Sequence, residues 1–278
     1  MVDYLVRFAK RFAVLLPGLV IAYFSVKEIF PYFDRKLPLG LAILVTYMLA
    51  AYLLIPAAIR LFRIIKPPKH LPLYCVTPDG FASDPLNVGV ISTRRELITA
   101  MENAGWHMAD PHRFRYLVRH GFSILLDHPY PNAPVSSLFL FGRKQDLAFE
   151  IPLEGHGSRH HVRFWATTYK ERDKLTVRSI HWHRRKEHIK GDDLLWVGAA
   201  SLDNGIGFIR HNMQVTHSIH PDTDTERELI VKSLEEVGLV ESKQTIKLDK
   251  PYRVINRTWR GHFLADGKMT IVKLLKSN

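Results

Sequence analysis

Residues 160–168 read HHVRFWATT and residues 194–202 read LLWVGAASL. The first stretch is a strand by alternation: His160, Val162, Phe164 and Ala166 share one face, and His161, Arg163, Trp165 and Thr167 share the other. The second is apolar on both faces, as a strand buried inside a sheet must be. Working outward, SLFLFG (137–142) and LAFEI (147–151) read as a strand pair about the turn Arg143-Lys144-Gln145-Asp146. Asp203-Asn204-Gly205 reads as a turn between 194–202 and a further strand over 213–219. Residues 93–104 and 224–237 have helical periodicity and end at Gly105 and Gly238, where a left-handed C-cap suits glycine. Both helices open on similar strings, TRRELI (93–98) and TERELI (225–230), with threonine as the expected N-cap. Residues 112–127 also read as a helix, and 262–275 as a hairpin about Ala265-Asp266-Gly267-Lys268. Strands joined by short turns, with helices packed beside them, predict an α+β domain with a mostly antiparallel sheet.

That domain is preceded by two apolar stretches, 12–33 and 37–59, each long enough for a bilayer core of about 20 residues. They predict a two-helix transmembrane hairpin within 1–66, with the soluble domain over 67–278. Pro67, Pro68 and Pro72 make a stiff connection between the two. Arg7, Lys10 and Arg11 precede the first span, and Arg60, Arg63, Lys66 and Lys69 follow the second. Only Lys27, Arg35 and Lys36 lie in between. The positive-inside rule therefore puts both termini and the soluble domain on the cytoplasmic side.

Composition narrows the function classes. The formal net charge is +12, from 39 Lys+Arg against 27 Asp+Glu. Residues 1–70 hold 10 of those cations against 3 acids, so most of the excess sits beside the apolar segment. That points to a membrane surface with anionic headgroups, and no nucleic-acid partner is expected. The single cysteine, Cys75, excludes a disulfide framework and a cysteine-based metal cluster.

Several strings are specific: LYCVTPDGF (73–81), DPLNV (84–88), AGW (104–106), ADP (109–111) and PYPNAPVSSLFLFGRKQDLAFE (129–150). RHHVRFW (159–165), LWVGAASLDNGIG (195–207) and TH-x-I-x-PD-x-D-x-ER (216–227) complete the set. Together they resemble the LssY C-terminal domain, a bacterial domain named from a type I secretion component. The resemblance spans roughly 69–275. It implies a bacterial inner-membrane setting and an envelope or secretion protein as partner. Similar proteins join this domain to larger membrane regions, including DedA-type and phosphatidic-acid-phosphatase-type domains, whereas this chain has two expected spans and no such phosphatase. The resemblance supplies no catalytic residues.

The chemistry must come from the residues themselves. GxSxG, HExxH, Walker A and GxGxxG are all absent. His161 and Arg163 are neighbours on one face of their strand, as an anion or proton-transfer site requires, or as an arginine on a solvated face allows. His217 falls on the apolar side of its strand, with Asp222 and Asp224 following within a short turn. These five, His161, Arg163, His217, Asp222 and Asp224, are the candidate catalytic set. His217 and Asp222 are candidate ligands of a divalent metal. The bland alternatives are a satisfied core histidine and two carboxylates capping a helix. Arg143 and Lys144, in the expected turn, are candidate anion binders or simply a polar turn. The basic run RSIHWHRRKEHIK (178–190) suits anionic headgroups or a solvated loop. Two function classes follow: a membrane-tethered module binding anionic lipid or an envelope or export partner, and a metal-dependent or His/Asp-based hydrolase acting on a phosphate-bearing lipid.

Overall fold

A computed structural model describes residues 19–58, 71–78, 80–110, 132, 135–140, 142–153, 158–167, 193–208, 215–255 and 262–276, without the side chains of 204–208, 215–218 and 255. The expected helix 112–127 and the basic run 178–190 lie outside the described residues. The chain divides into two compact units: Met1–Lys66 with Pro78–Gly80, and Pro67–Thr77 with Phe81–Asn278.

In the first unit, helix α1 (19–34) and helix α2 (Leu39–Ala58) are joined by a tight turn. Each contains one π-helical turn, Ser25–Ile29 and Ala50–Leu54. Pro38 sits before α2 with an extended ψ of 142°, which separates the helices. Among the described residues, α2 is the helix long and apolar enough to cross a membrane. Its 20 residues have a mean hydropathy of 2.1, and little of its surface is covered. At 1.5 Å per residue it reaches about 30 Å, one hydrocarbon core.

The second unit has three layers. Its centre is an eight-stranded sheet, built from β3 (Val88–Ser92), β4 (His107–Met108), β7 (Leu147–Pro152), β8 (Arg159–Ala166), β9 (Leu194–Phe208), β10 (Val215–Ile219), β11 (Val240–Lys247) and β14 (Lys268–Leu274). The order is β11-β14-β3-β9-β8-β7-β4, with β10 paired to β9. All pairings in it are antiparallel except β14 with β3. A small sheet orders β2 (Ala82–Pro85), β1 (Tyr74–Val76), β5 (Phe139–Leu140) and β6 (Arg143–Lys144), and β12 (Tyr252–Ile255) pairs β13 (His262–Ala265) separately.

The central strands bury both faces, and each face has its own core. Helices α3 (Arg94–Asn103) and α4 (Asp224–Glu236) pack Leu97, Met101, Ile230 and Leu234 against Val162, Phe164, Trp196 and Ala200. On the opposite face the small sheet packs Cys75, Leu138 and Leu140 against Trp165, Leu195, Val197 and Ala199. On the helix side Gly198 is required, because a Cβ would meet Val88 Cγ1 at 2.5 Å and Phe164 Cε1 at 2.7 Å.

Local expectations are corrected at four places. Residues 147–151 do not pair with 137–142. β5 pairs β6 instead, turning at Gly142 with φ 76°, so Arg143 and Lys144 lie in a strand and β7 joins the large sheet. Asp203-Asn204-Gly205 does not break the chain, since β9 runs through to Phe208. His217 opposes Ile206 while Ile219 opposes Asp203, so β9 takes up its extra residue as a bulge. Residues 262–275 turn at Gly267, but β13 leaves to pair β12 and β14 enters the large sheet between β11 and β3. Thr93 caps α3 in a full capping box with Glu96, but α4 begins at Asp224, so Thr225 lies inside that helix rather than capping it.

Candidate functional site

The two layers facing the small sheet divide into an apolar end and a charged end. Alternation along β8 puts Arg159, His161 and Arg163 on the same side as Trp165. The same period along β9 puts Ser201 and Asp203 beside Ala199. Strand register then lines up Glu150, His161 and Ser201 across three adjacent strands. Asp84 descends on this group from β2 of the small sheet. Every one of these seven polar side chains is buried.

They form a chain of opposite charges. Arg159 donates to Glu150 Oε2 at 2.7 Å and to Asp203 Oδ2 at 3.2 Å. Asp203 Oδ1 lies 3.4 Å from His161 Nδ1. His161 Nε2 faces Asp84 Oδ2 at 3.1 Å and Ser201 Oγ at 2.9 Å. Arg163 donates to Asp84 Oδ2 at 2.6 Å and to the Ser136 carbonyl at 3.2 Å. Ser83 donates to Asp84 Oδ1, and the Cys75 thiol donates to the Asp84 carbonyl. Burial opposes ionisation of Asp84, but Arg163 and His161 outweigh it and hold the carboxyl well below the usual range. Burial pushes Glu150 up to about 8 against the pull of Arg159, and pushes the Cys75 thiol well up.

Serine, histidine and aspartate here stand in the order of a nucleophile, base and orienting acid, though Asp203 makes no hydrogen bond to Nδ1. Two features oppose that use. Ser201 is 0% exposed and His161 1%, so no substrate reaches the hydroxyl in this conformation. The nitrogen that would accept the serine proton is also engaged by Asp84. The arrangement is well suited to fastening one sheet to the other.

Of the sequence candidates with described side chains, His161 and Arg163 share partners, and Asp222 and Asp224 have others. His161 and Arg163 meet on Asp84. They lie under a second sheet, so Arg163 is not on a solvated face. Asp222 and Asp224 lie at the N-terminus of α4 and have other partners. Asp222 accepts from the backbone amides of Asp224 and Thr225, and Thr225 Oγ1 donates to it at 2.7 Å. These bonds, the Thr225 hydroxyl foremost, lower its pKa. Asp224 accepts from the Asp266 amide and pairs with Arg227, which also binds Asp266 at 2.9 Å. Burial raises Asp224, with Asp266 adding to the effect. His217 is placed by backbone opposite Ile206, and its side chain lies outside the described residues. Arg143 pairs with Asp146 at 2.8 Å and donates to the Ala166 carbonyl, so its charge is already matched. Lys144 is half-buried, which lowers its pKa. Among the described residues, no group of three or more His, Cys, Asp or Glu is arranged to hold a metal ion.

Sequence reading missed Asp84, Glu150, Arg159, Ser201 and Asp203. A signal existed for three of them. Arg159 continues the His161 and Arg163 face, and Ser201 and Asp203 continue the Val197 and Ala199 face by the same period of two. Three basic groups on a buried face require acidic partners nearby. Asp84 comes from a different sheet, so no spacing could point to it.

Residues 68–269 match the family model described as LssY C-terminus. No curated protein and no solved structure matches the chain. The match covers most of the chain, including the small sheet, the buried polar cluster and all of the large sheet except most of β14, and the chain belongs to the LssY C-terminal family.

Proposed function

We propose that this chain is a membrane-tethered binding module of the bacterial inner membrane. Two spans, 12–33 and 37–59, anchor it, with both termini and the 67–278 domain on the cytoplasmic side. There the domain engages anionic lipid headgroups or an envelope or export protein. The observation that carries the tethering is α2: 20 residues of mean hydropathy 2.1 with little of their surface covered. An uncovered apolar surface of that length is stable in lipid and not in water. The net charge of +12 supports an anionic partner.

A topology measurement tests this reading. A fluorescent reporter that matures only in the cytoplasm, fused to the C-terminus, should be bright and should sediment with alkali-washed membranes. A dark fusion with an active periplasmic reporter at the same site inverts the orientation. Release of the chain by alkali removes the spans.

One observation favours a second reading, a His/Asp-based hydrolase of a phosphate-bearing lipid. Ser201 Oγ meets His161 Nε2 at 2.9 Å and Asp203 Oδ1 lies 3.4 Å from Nδ1 without a hydrogen bond, so two of the groups that serine-based transfer uses are in contact and the third is near. Their complete burial weighs against it.

A further inference from the structure

The buried cluster contains six ionisable groups in a row: Glu150, Arg159, Asp203, His161, Asp84 and Arg163. Two aspartates and two arginines cancel. Glu150 and His161 remain, directly opposed across β7 and β8 on the same sheet face. An uncompensated charge at this depth is costly, so this pair must be neutral in total. Neutrality is reached in two ways. Either the glutamate carries a proton and the imidazole is uncharged, or the glutamate is ionised and the imidazole is doubly protonated. Both states contain the same number of protons.

Two atoms mark where that proton resides. Glu150 Oε1 and His161 Nδ1 are buried and have no hydrogen-bond partner. Asp203 Oδ1 is 3.4 Å from His161 Nδ1, close enough for charge attraction but not aligned for a hydrogen bond. An acceptor left bare on one strand, opposite a bare nitrogen on the next, is what a heavy-atom framework shows when it has a proton to place.

We propose that Glu150 and His161 jointly retain one proton, and that this proton holds the small sheet against the large one as a pH-sensitive clasp. The groups facing the pair from the packed elements are Arg159 and Arg163 on β8, Asp203 and Ser201 on β9, Asp84 on β2, the Cys75 thiol on β1 and, opposite Glu150 on the edge strand β4, the exposed His107. Losing the proton leaves one negative charge in excess beside Asp84 and Asp203. Asp84 belongs to the small sheet, so that sheet is the layer that loosens.

The shift on Glu150 agrees in direction. Its folded value, about 8, exceeds that of an exposed glutamate, near 4.3. An opened pair has an exposed imidazole that keeps one proton up to about pH 6.5, so the folded domain binds one more proton than the opened one only between about 6.5 and 8. The stabilisation is fully present at about pH 6.5 and is lost as pH rises through about 8.

Hydrogen exchange on the full chain in detergent micelles tests the proposal. After correction for intrinsic exchange, the opening constant of residues 74–85 should rise about tenfold per pH unit between about pH 6.5 and 8, the slope for release of one proton. Glu150→Gln keeps the shape and removes the titration, so its opening constant should stay flat. A flat wild-type profile, or the same slope in Glu150→Gln, overturns the proposal. Should Glu150→Gln fail to fold, NMR of wild-type chain labelled in glutamate and histidine decides. One carboxyl or imidazole releasing its proton near pH 8 supports the clasp. All carboxyls ionised and all imidazoles neutral at pH 7 overturns it.

Discussion

Arg163 Nη1 donates to Asp84 Oδ2 at 2.6 Å, and this one contact joins the two sheets of the domain at a point where both side chains are buried. Removing one partner of such a pair leaves a buried charge without compensation. Asp84→Asn should destabilise the full chain by about 3–5 kcal/mol, read as a lower melting temperature in detergent. Replacing both partners with apolar residues, Asp84→Leu with Arg163→Met, should recover much of that loss. A double variant as unstable as Asp84→Asn would show that the pair does more than balance charge.

Asp84 also fixes the acid limit of the domain. Its folded carboxyl sits below the usual range because Arg163 and His161 overcome the burial. A lowered carboxyl gives its full stabilisation above the unfolded value near 3.9 and loses it as pH falls through the folded value. Melting temperature should therefore hold down to about pH 4 and drop below it. Asp84→Asn should lack that drop, and wild-type melting that falls steadily from about pH 6 to 4 would assign acid sensitivity to another group.

Gly198 offers a packing test. Gly198→Ala places a methyl group into Val88 and the Phe164 ring at the centre of the large sheet, where neither can withdraw freely. The expected loss is about 1–3 kcal/mol, measured by denaturant unfolding. Unchanged stability would mean the helix-side core is looser than its burial indicates.

The α4 N-terminus separates a cap from a metal site. Both Asp222 oxygens are occupied by Thr225 and the backbone amides of Asp224 and Thr225. Asp222→Ala should cost about 1 kcal/mol, as the loss of a cap does, and neither it nor Asp222→Asn should change metal content. Chelation should not move the melting temperature of the wild type. Near-stoichiometric metal lost on Asp222→Asn would establish the ligand role instead.

How much of this was legible in the sequence depended on the range of each signal. Strand β8 was readable from its period, and helices α3 and α4 from period and terminal glycine, with the Thr93 cap marking the start of α3 alone. Strand β9 was read as ending at residue 202, since Asn204-Gly205 carries a strong turn signal that the bulge opposite His217–Ile219 absorbs. The β5–β6 hairpin was misplaced because Gly142 and the Arg143–Asp146 run are both plausible turns, and only pairing to β1 decides between them. His161 and Arg163 were singled out by alternation. Their partners were not, because Asp84 lies 77 residues before His161 and reaches it from another layer. Asp222 and Asp224 were joined to the same site by proximity in the chain, yet the helix they begin lies on the other side of the sheet.

The central claim is that the domain is held at a membrane surface to bind anionic partners there. Vesicle capture by the full chain in zwitterionic nanodiscs tests it most directly. Phosphatidylglycerol vesicles should be captured and phosphatidylcholine vesicles should not, with capture falling steeply as salt shortens the screening length from about 30 Å at 0.01 M to about 8 Å at 0.15 M. Equal capture of both vesicles, or none of either, would contradict the account.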